Sequence, residues 1–214
     1  MIVLGLDTCL NACSVAVLDG ERVLAHRAEA MARGHQERLA PMVQAAMADA
    51  GLAFDRLARI GATVGPGSFT GLRVGVAFAK GLGSALGVPA APVGVLEALA
   101  AEAEGLVAAA VDARRDQVYL QVFDGGHALM APDVLPISTA AARLVELAQG
   151  RPLTLVGSGA ALLSDVAPHA RRLAPEGCDA RKVAALAAAR APGPLKPLYL
   201  RAPDAKLPGG RTPE

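Results

Sequence analysis

The order of predicted strands and helices repeats once along this chain, and this repetition limits the possible folds more than any other feature of the sequence. Each half begins with three short stretches that have the apolar or alternating pattern of β-strands and are separated by turn residues. Strands joined by tight turns pair as an antiparallel meander. The predicted meander strands are residues 2–6, 13–18 and 22–29 in the first half and residues 106–111, 117–123 and 128–135 in the second.

In both halves the meander is followed by segments whose apolar residues recur at three- and four-residue steps, which is the spacing of one helix face. A further apolar strand, residues 57–64, precedes the second helix. The pattern predicts an α/β protein with mixed β-sheets flanked by helices, arranged as a duplicated, two-lobed actin-like (ASKHA) fold. The predicted helices are residues 35–50, 72–86, 93–104, 138–148, capped by Ser138, and 180–190.

We expect an N-terminal actin-like lobe at residues 1–104 and a C-terminal actin-like lobe at residues 105–191. The tail, residues 192–214, carries six prolines and cannot form a regular helix or a central strand. We predict a brief strand at residues 198–200, with the rest of the tail disordered or packed as a strap.

The composition excludes several classes of protein. The 214 residues are 53% hydrophobic, which is enough for a sizeable core and rules out intrinsic disorder. The formal net charge is only +1, so wholesale electrostatic capture of nucleic acid or of an acidic membrane is not expected. No signal peptide or stretch of about 20 apolar residues is recognisable. These features predict a cytoplasmic protein with no membrane contact.

Two loops have the composition of an anion site. Asp7 and Thr8 end the first apolar strand at a polar hairpin, and residues 65–71, Gly-Pro-Gly-Ser-Phe-Thr-Gly, join a strand to a helix. Glycines at a helix N-terminus allow a phosphate to approach free backbone N–H groups. The alternative interpretation is a tight turn packed on a neighbouring element. The candidate nucleotide or anion residues are Asp7, Thr8, Gly67, Ser68, Thr70 and Arg73.

The sequence offers no pattern typical of a metal site or of a serine hydrolase. The three cysteines, Cys9, Cys13 and Cys178, form no CxxC pair, and the four histidines lack ligand spacing. No GxSxG elbow is present. We therefore predict no metal and three small, buried cysteines.

Five motifs resemble those of the bacterial TsaB (YeaZ) family of tRNA threonylcarbamoyladenosine biosynthesis proteins. The resemblance covers nearly the whole chain. The most specific motif is GPGSFTGLRVG at residues 65–75. The other four are LGLDT at 4–8, GHxExLxP at 34–41, DAR at 112–114 and PxYLR at 197–201.

This resemblance implies an actin-like subunit related to the catalytic subunit TsaD. TsaD-like proteins hold a metal with two histidines four residues apart on the third helix, whereas Val95 and Leu99 occupy that register here. Residues 112–116, with Asp112 and Asp116, replace the glycine-rich turn at the start of the second lobe. The resemblance therefore implies a non-catalytic subunit with no cofactor of its own, and it leaves open whether ATP or ADP enters the inter-lobe cleft.

The implied partners are a TsaD-like enzyme, whose product is N6-threonylcarbamoyladenosine beside the anticodon, and a TsaE-like ATPase. A homodimer through the same helices is the alternative, and tRNA is contacted indirectly or weakly by the basic tail. We expect a bulky residue at Gly75 or Gly83 to weaken partner binding and leave the fold intact. The candidate interface residues on the first two long helices are His35, Leu39, Met42, Ala46, Leu72, Gly75, Ala79 and Gly83.

Two other functions are compatible with such a fold. A stand-alone ATP-dependent small-molecule kinase of the actin and hexokinase superfamily would use Asp7 and the glycine loops, and it would turn over ATP without a partner. A metallopeptidase, an older interpretation of TsaD-like proteins, is disfavoured by the valine and leucine at positions 95 and 99.

Overall fold

The computed structural model describes residues 1–201, and its first sheet has five strands in the order β3-β2-β1-β4-β5. β1 pairs antiparallel with β2 and parallel with β4. The last strand, β5, is parallel to β4. The strands are β1 Ile2–Asp7, β2 Ala12–Asp19, β3 Arg22–Ala30, β4 Arg59–Thr63 and β5 Ala90–Val93.

The second sheet has the same order, because β6 takes the place of β1. It runs β11-β10-β6-β7-β8, with β9 also paired to β7. The predicted strand at residues 128–135 is divided in the structure into β8 and β9. The strands are β6 Leu106–Arg114, β7 Gln117–Asp124, β8 His127–Ala128, β9 Asp133–Pro136, β10 Leu153–Val156 and β11 Arg171–Leu173.

In residues 1–201 five α-helices cover these sheets, and all five differ from their predicted bounds, α1 and α5 only by ending one residue earlier. α2 begins at Phe69 rather than Leu72, because Ser68 caps it. α3 has only six residues. α4 begins at Ile137 with Pro136 at the cap position, so Ser138 lies inside the first turn and is not the cap. The helices are α1 His35–Asp49, α2 Phe69–Leu86, α3 Val95–Ala100, α4 Ile137–Ala148 and α5 Ala180–Ala189, with 3₁₀ turns at Phe54–Arg56 and Ala160–Leu163.

The elements stack as alternating helical and sheet layers. α1 and α2 pack on one face of the first sheet, and α5 packs on the other face. α3 packs on β6 and β7, where its core is continuous with that of α5. α4 and the second 3₁₀ turn cover the outer face of the second sheet. The layers thus bury one helical layer, α3 and α5, between the two sheets.

Close approach of α5 to the first sheet depends on two strand glycines. A Cβ on Gly5 would lie 2.3 Å from the Ala180 carbonyl oxygen, and one on Gly61 would lie 2.4 Å from Ala187 Cβ. Arg59 adds a cap, since its Nη1 donates to three carbonyls at the end of α5. The last helix of the predicted second lobe therefore contributes to the core of the first sheet, and the division at residue 104 stays a prediction.

The described part of the tail, residues 192–201, crosses the molecule as an extended strap. The Gly193 N–H donates to the Ala90 carbonyl over 2.9 Å, and the Leu198 N–H donates to the Val64 carbonyl over 2.7 Å. Leu195 is buried in the hydrophobic core that α1 and α2 form with the first sheet. The predicted strand at residues 198–200 is wrong, because this segment forms no ladder. The remainder of the predicted tail lies outside the described residues.

None of the helices in residues 1–201 is both long and apolar enough to cross a bilayer.

Candidate functional site

The Asp7 carboxylate is the polar centre of the region between the sheets. It is fully buried and receives three hydrogen bonds from its own chain. Thr63 Oγ1 donates to Oδ1 over 2.6 Å, the Cys9 N–H donates to Oδ1 over 3.1 Å, and the Cys178 N–H donates to Oδ2 over 2.9 Å. Burial raises the pKa of Asp7 above its ordinary value, and the hydrogen bonds and His35 oppose that shift. Asp7 therefore joins β1, β4 and the segment before α5.

The glycines of the loop at residues 65–71 accommodate the backbone of the β1–β2 turn. A Cβ on Gly67 would lie 2.3 Å from the Cys9 carbonyl oxygen, and one on Gly71 would lie 2.0 Å from that of Thr8. The Thr8 hydroxyl donates to the Gly71 carbonyl over 2.7 Å. The alternative interpretation, a tight turn packed on a neighbouring element, thus describes what these glycines do.

The loop also uses its own backbone donors. The Ser68 N–H donates to the Cys9 carbonyl over 2.7 Å, the Gly71 N–H donates to Ser68 Oγ over 3.3 Å, and the Leu72 N–H donates to the Ser68 carbonyl over 2.9 Å. Three N–H groups that could have faced a phosphate are therefore satisfied within the chain. These three donors therefore serve the loop and the β1–β2 turn rather than a ligand.

The six candidate anion residues do not surround one ligand position. Asp7 and Thr8 are fully buried and bonded internally, and Gly67 faces the β1–β2 turn. Ser68, Thr70 and Arg73 are exposed at the start of α2. A ligand role stays a prediction for these three exposed residues alone.

A cavity of about 430 Å³ lies in the cleft between the sheets. It is bordered by residues 9–11, by Gly67 and Ser68, by residues 111–114, and by residues 174–176. Asp112 and Glu176 bring carboxylates to its edge, and Arg114 is paired with Asp112 at 3.1 Å. Two carboxylates facing one balancing cation do not favour a polyphosphate. The charges of the described cleft residues therefore do not favour the negatively charged phosphates of a nucleotide.

The second half repeats the packing of glycine on backbone. A Cβ on Gly157 would lie 2.4 Å from the Ala110 carbonyl oxygen, and the Gly159 N–H donates to the same oxygen over 2.9 Å. Ser158 Oγ accepts from the Asp112 N–H over 3.1 Å. In each half a glycine turn therefore packs against the backbone of the central strand or of the turn that follows it.

The third helix carries side chains that pack. Val95 and Leu99 are both fully buried, in the core shared by α3 and α5. Within residues 1–201, no group of three or more His, Cys, Asp or Glu side chains is arranged to hold a metal ion. The position where a TsaD-like protein would carry its histidines is hydrophobic interior in this chain.

The three cysteines are buried thiols. Burial raises the pKa of all three, that of Cys13 to about 12, and the nearby Asp7 adds to the shift. A thiol that stays protonated is a poor nucleophile. The cysteines are therefore structural.

The predicted interface residues face inward, which corrects their assignment. All eight are buried within this chain, so they are already in contact with its own residues. A Cβ on Gly75 would lie 2.5 Å from Thr8 Oγ1, and one on Gly83 would lie 2.9 Å from the Val88 carbonyl oxygen. These contacts argue against the expectation that a bulky residue at either glycine leaves the fold intact, which stays a prediction. The corrected residues are His35, Leu39, Met42, Ala46, Leu72, Gly75, Ala79 and Gly83.

The outward faces of the same two helices carry several small residues beside exposed charged ones such as Arg38 and Lys80. Gly81 has nothing within 4 Å of an added Cβ. Neighbouring helices approach closely where such residues line the contact. The exposed small or short residues are Ala40, Gln44 and Ala48 on α1 and Ala77, Gly81, Ser84 and Ala85 on α2.

Sequence patterns missed the residues that complete the Asp7 centre and the strap. Thr63 and Cys178 lie 56 and 171 residues from Asp7, so no local spacing connects them to it. Tyr199 contacts the start of α2, where Arg73 Nε donates to its hydroxyl over 3.2 Å. The PxYLR motif was the available signal for Tyr199, although it gave no indication of its contact.

A family model described as TsaD, tRNA N6-adenosine threonylcarbamoyltransferase, matches residues 23–148. An uncharacterized protein of Mycobacterium tuberculosis is 38% identical over 95% of this chain and 93% of its own length. The tRNA threonylcarbamoyladenosine biosynthesis protein TsaB of Haemophilus influenzae is 40% identical over 56% of this chain and 52% of its own length.

Solved structures resemble the chain over almost its full length. A Pseudomonas aeruginosa protein described as similar to peptidase YEAZ has a TM-score of 0.82 at 31% identity, covering 94% of this chain and 99% of its own. YeaZ from Pseudomonas aeruginosa has a TM-score of 0.77 at 29% identity, covering 93% and 99%.

The duplicated order of two mixed sheets flanked by helices is that of an α/β protein of the actin-like (ASKHA) class, which confirms the predicted fold. Within that class, the match at 31% identity over nearly all of both chains is decisive. The chain belongs to the TsaB (YeaZ) family.

Proposed function

We propose that this chain is a subunit of the machinery that forms N6-threonylcarbamoyladenosine in tRNA. Its family membership and the names of its relatives support this assignment. In the proposed reaction a TsaD-like enzyme transfers the threonylcarbamoyl group from its adenylate to N6 of the adenosine beside the anticodon. This chain binds that enzyme and activates it.

A non-catalytic role rests on one observation above all. The chain keeps the actin-like fold, but its own side chains and backbone fill the positions where such a protein would hold a metal and phosphates. Val95 and Leu99 are buried hydrocarbon, and the glycine turn at residues 65–71 is closed on Thr8 and Cys9. Neither a metal-activated nucleophile nor a phosphate clamp is available from these residues.

The activating contact is proposed on the outward faces of α1 and α2. A related subunit with a similar helix pair would complete a four-helix interface, and a specific complex would bury about 800 Å² on each partner. A homodimer uses the same faces in this proposal, so the two complexes compete. A TsaE-like ATPase is the third member, and tRNA reaches the assembly chiefly through the catalytic partner.

Reconstitution tests this function directly. The purified TsaD-like enzyme of the same organism is given threonylcarbamoyl adenylate and unmodified tRNA, with or without this chain, and the modified nucleoside is quantified. We expect product only when both proteins are present. Equal product from the enzyme alone contradicts the activating role.

The kinase alternative is tested with the same purified protein in a separate assay. The chain alone is incubated with ATP and candidate small-molecule acceptors, and the ADP formed is measured. We expect no turnover above that of a protein-free control. Saturable ATP turnover by the chain alone favours the kinase over the activating subunit.

A further inference from the structure

Two exposed aromatic rings meet at the start of α2. The chain has four Phe, two Tyr and no Trp, and all six aromatic residues lie in the described part. Phe69 is 48% exposed and Tyr199 is 45% exposed, whereas the other four are buried or half-buried. The strap places Tyr199 beside Phe69, with ring centroids 5.6 Å apart. In a chain so poor in aromatics, the exposure of this pair calls for a ligand or partner.

Arg73 completes the group, which we call the Phe69–Arg73–Tyr199 cluster. Its guanidinium carbon lies 3.6 Å from the centroid of the Phe69 ring, and its Nε donates to the Tyr199 hydroxyl over 3.2 Å. The ring and the hydroxyl hold the guanidinium in one orientation. Arg73 is itself exposed, so the group presents a guanidinium and two aromatic rings to solvent.

A second arginine follows the cluster in sequence. Arg201 follows Tyr199 by two residues, which is at most about 7 Å of chain. Its guanidinium bonds the Ala113 carbonyl and Gln117 Oε1 and so reaches the β6–β7 turn. Among residues 1–201, Arg73 and Arg201 have only uncharged partners, so neither charge is balanced by a carboxylate there.

These features fit one class of ligand. Unpaired nucleotides of RNA stack their bases on aromatic rings or on guanidinium planes, and their phosphates are attracted to arginine. Duplex RNA hides its base faces and gains nothing from such a platform. An acidic peptide would use the charges but not the planar faces.

We infer that the Phe69–Arg73–Tyr199 cluster binds unpaired nucleotides of RNA by stacking, with Arg201 contributing charge toward the phosphates. The inference rests on the proposed function, in which the modified molecule is a tRNA with unpaired loops. The cluster positions the RNA and takes no part in the chemistry.

Binding is measured by fluorescence anisotropy with a labelled single-stranded 12-nucleotide RNA, a duplex of the same length and an unmodified tRNA transcript. The full chain is used, alone and in complex with its TsaD-like partner. Tyr199→Ala removes one stacking surface, and Arg73→Lys keeps the charge but removes the planar face. Arg22→Lys, at an exposed arginine at the start of β3, is the matched control for the exchange of arginine for lysine.

We expect Tyr199→Ala and Arg73→Lys each to weaken single-strand binding about fivefold or more, since stacking contributes about 1–3 kcal/mol per base. Arg22→Lys should change affinity less than about twofold. Tyr199→Phe should bind nearly as the parent does. Parental affinity in both cluster variants, equal affinity for the duplex, or no saturable binding of single-stranded RNA overturns the inference.

A second measurement needs no variant and is therefore independent of folding defects. The parent chain is cross-linked to tRNA with ultraviolet light, and the modified peptides are located by mass spectrometry. Adducts at residues 69–73 or 199 support the inference, and adducts confined to other regions overturn it. If cluster variants lose partner assembly but keep RNA affinity, the cluster is a protein contact and the inference is wrong.

The two proposals fail separately. If depletion of the chain removes the modified nucleoside while cluster variants bind RNA as the parent does, only the RNA inference fails. If cross-links fall on the cluster while the nucleoside is unaffected by depletion, the proposed function fails and the RNA contact stands.

Discussion

Thr63 Oγ1 donates a hydrogen bond to Asp7 Oδ1 over 2.6 Å, and this contact ties the ends of two parallel strands at the centre of the molecule. Asp7 ends β1 and Thr63 ends β4, and both side chains are buried. In this chain the carboxylate stabilises the junction of three segments.

Loss of the Thr63 hydroxyl should destabilise the fold. Thr63→Val keeps the shape but leaves Asp7 Oδ1 with one donor, which costs about 1–3 kcal/mol in the free energy of unfolding. Thr63→Ser keeps the hydroxyl and should lower the free energy of unfolding distinctly less. Urea denaturation of the two variants checks this, and equal losses would show that the methyl group, not the hydrogen bond, is what matters.

The raised pKa of Asp7 predicts a pH dependence of stability. The folded state holds the proton of the Asp7 carboxyl more tightly than the unfolded chain does. The stabilisation that this proton gives is therefore full below the ordinary pKa of 3.8 and is lost as pH rises through the folded pKa. The free energy of unfolding of the parent minus that of Asp7→Asn should therefore fall as pH rises through this window. Denaturation at a series of pH values measures it. A difference that grows with pH contradicts the raised pKa.

Two glycines of α2 should respond in opposite ways to alanine. Gly71→Ala places a methyl group 2.0 Å from the Thr8 carbonyl oxygen, and we expect a loss of about 2–3 kcal/mol in the free energy of unfolding. Gly81→Ala meets nothing within 4 Å and should gain about 0.5–1 kcal/mol, because glycine costs entropy inside a helix. Thermal unfolding compares the pair, and a tolerated Gly71→Ala would mean that the loop does not need its close packing.

A large side chain on the outer face of α2 should weaken partner binding without unfolding the chain. We expect Ala77→Arg to reduce affinity for the TsaD-like enzyme about tenfold or more, because Ala77 is exposed and central on the proposed face. Ala142→Arg, on the exposed side of α4, is the matched control. Titration calorimetry measures the complex, and sedimentation measures the homodimer. Unchanged affinity in Ala77→Arg would move the interface elsewhere.

The existence and order of most strands and of all five described helices were predictable because their patterns are local, whereas most helix ends moved by one to four residues. The strands of both meanders and the amphipathic helix α1 each have a regular spacing of apolar residues that can be recognised in the sequence. The same periodicity misled the choice of interface residues. Leu39, Met42 and Ala46 form an apolar face that this chain buries on its own sheet, and an apolar stripe indicates burial without saying against what.

The centre of the site could not be predicted, because its contacts are distant in sequence. The apolar run before Asp7 predicts that it ends a strand, as the structure has it. Its hydrogen-bond donors Thr63 and Cys178 lie far along the chain. The strap is similar: a proline-rich segment has no periodicity, and Tyr199 reaches Arg73 across 126 residues. Long-range packing decides such contacts, and local composition does not encode them.

The most direct test of the central claim is the content of N6-threonylcarbamoyladenosine in total tRNA from cells depleted of this protein. Mass spectrometry of the digested tRNA measures it, with complementation by the parent chain and by Ala77→Arg. The proposed function predicts that the nucleoside falls on depletion, returns with the parent and returns less with Ala77→Arg. An unchanged level in cells that lack the protein would contradict the proposed function.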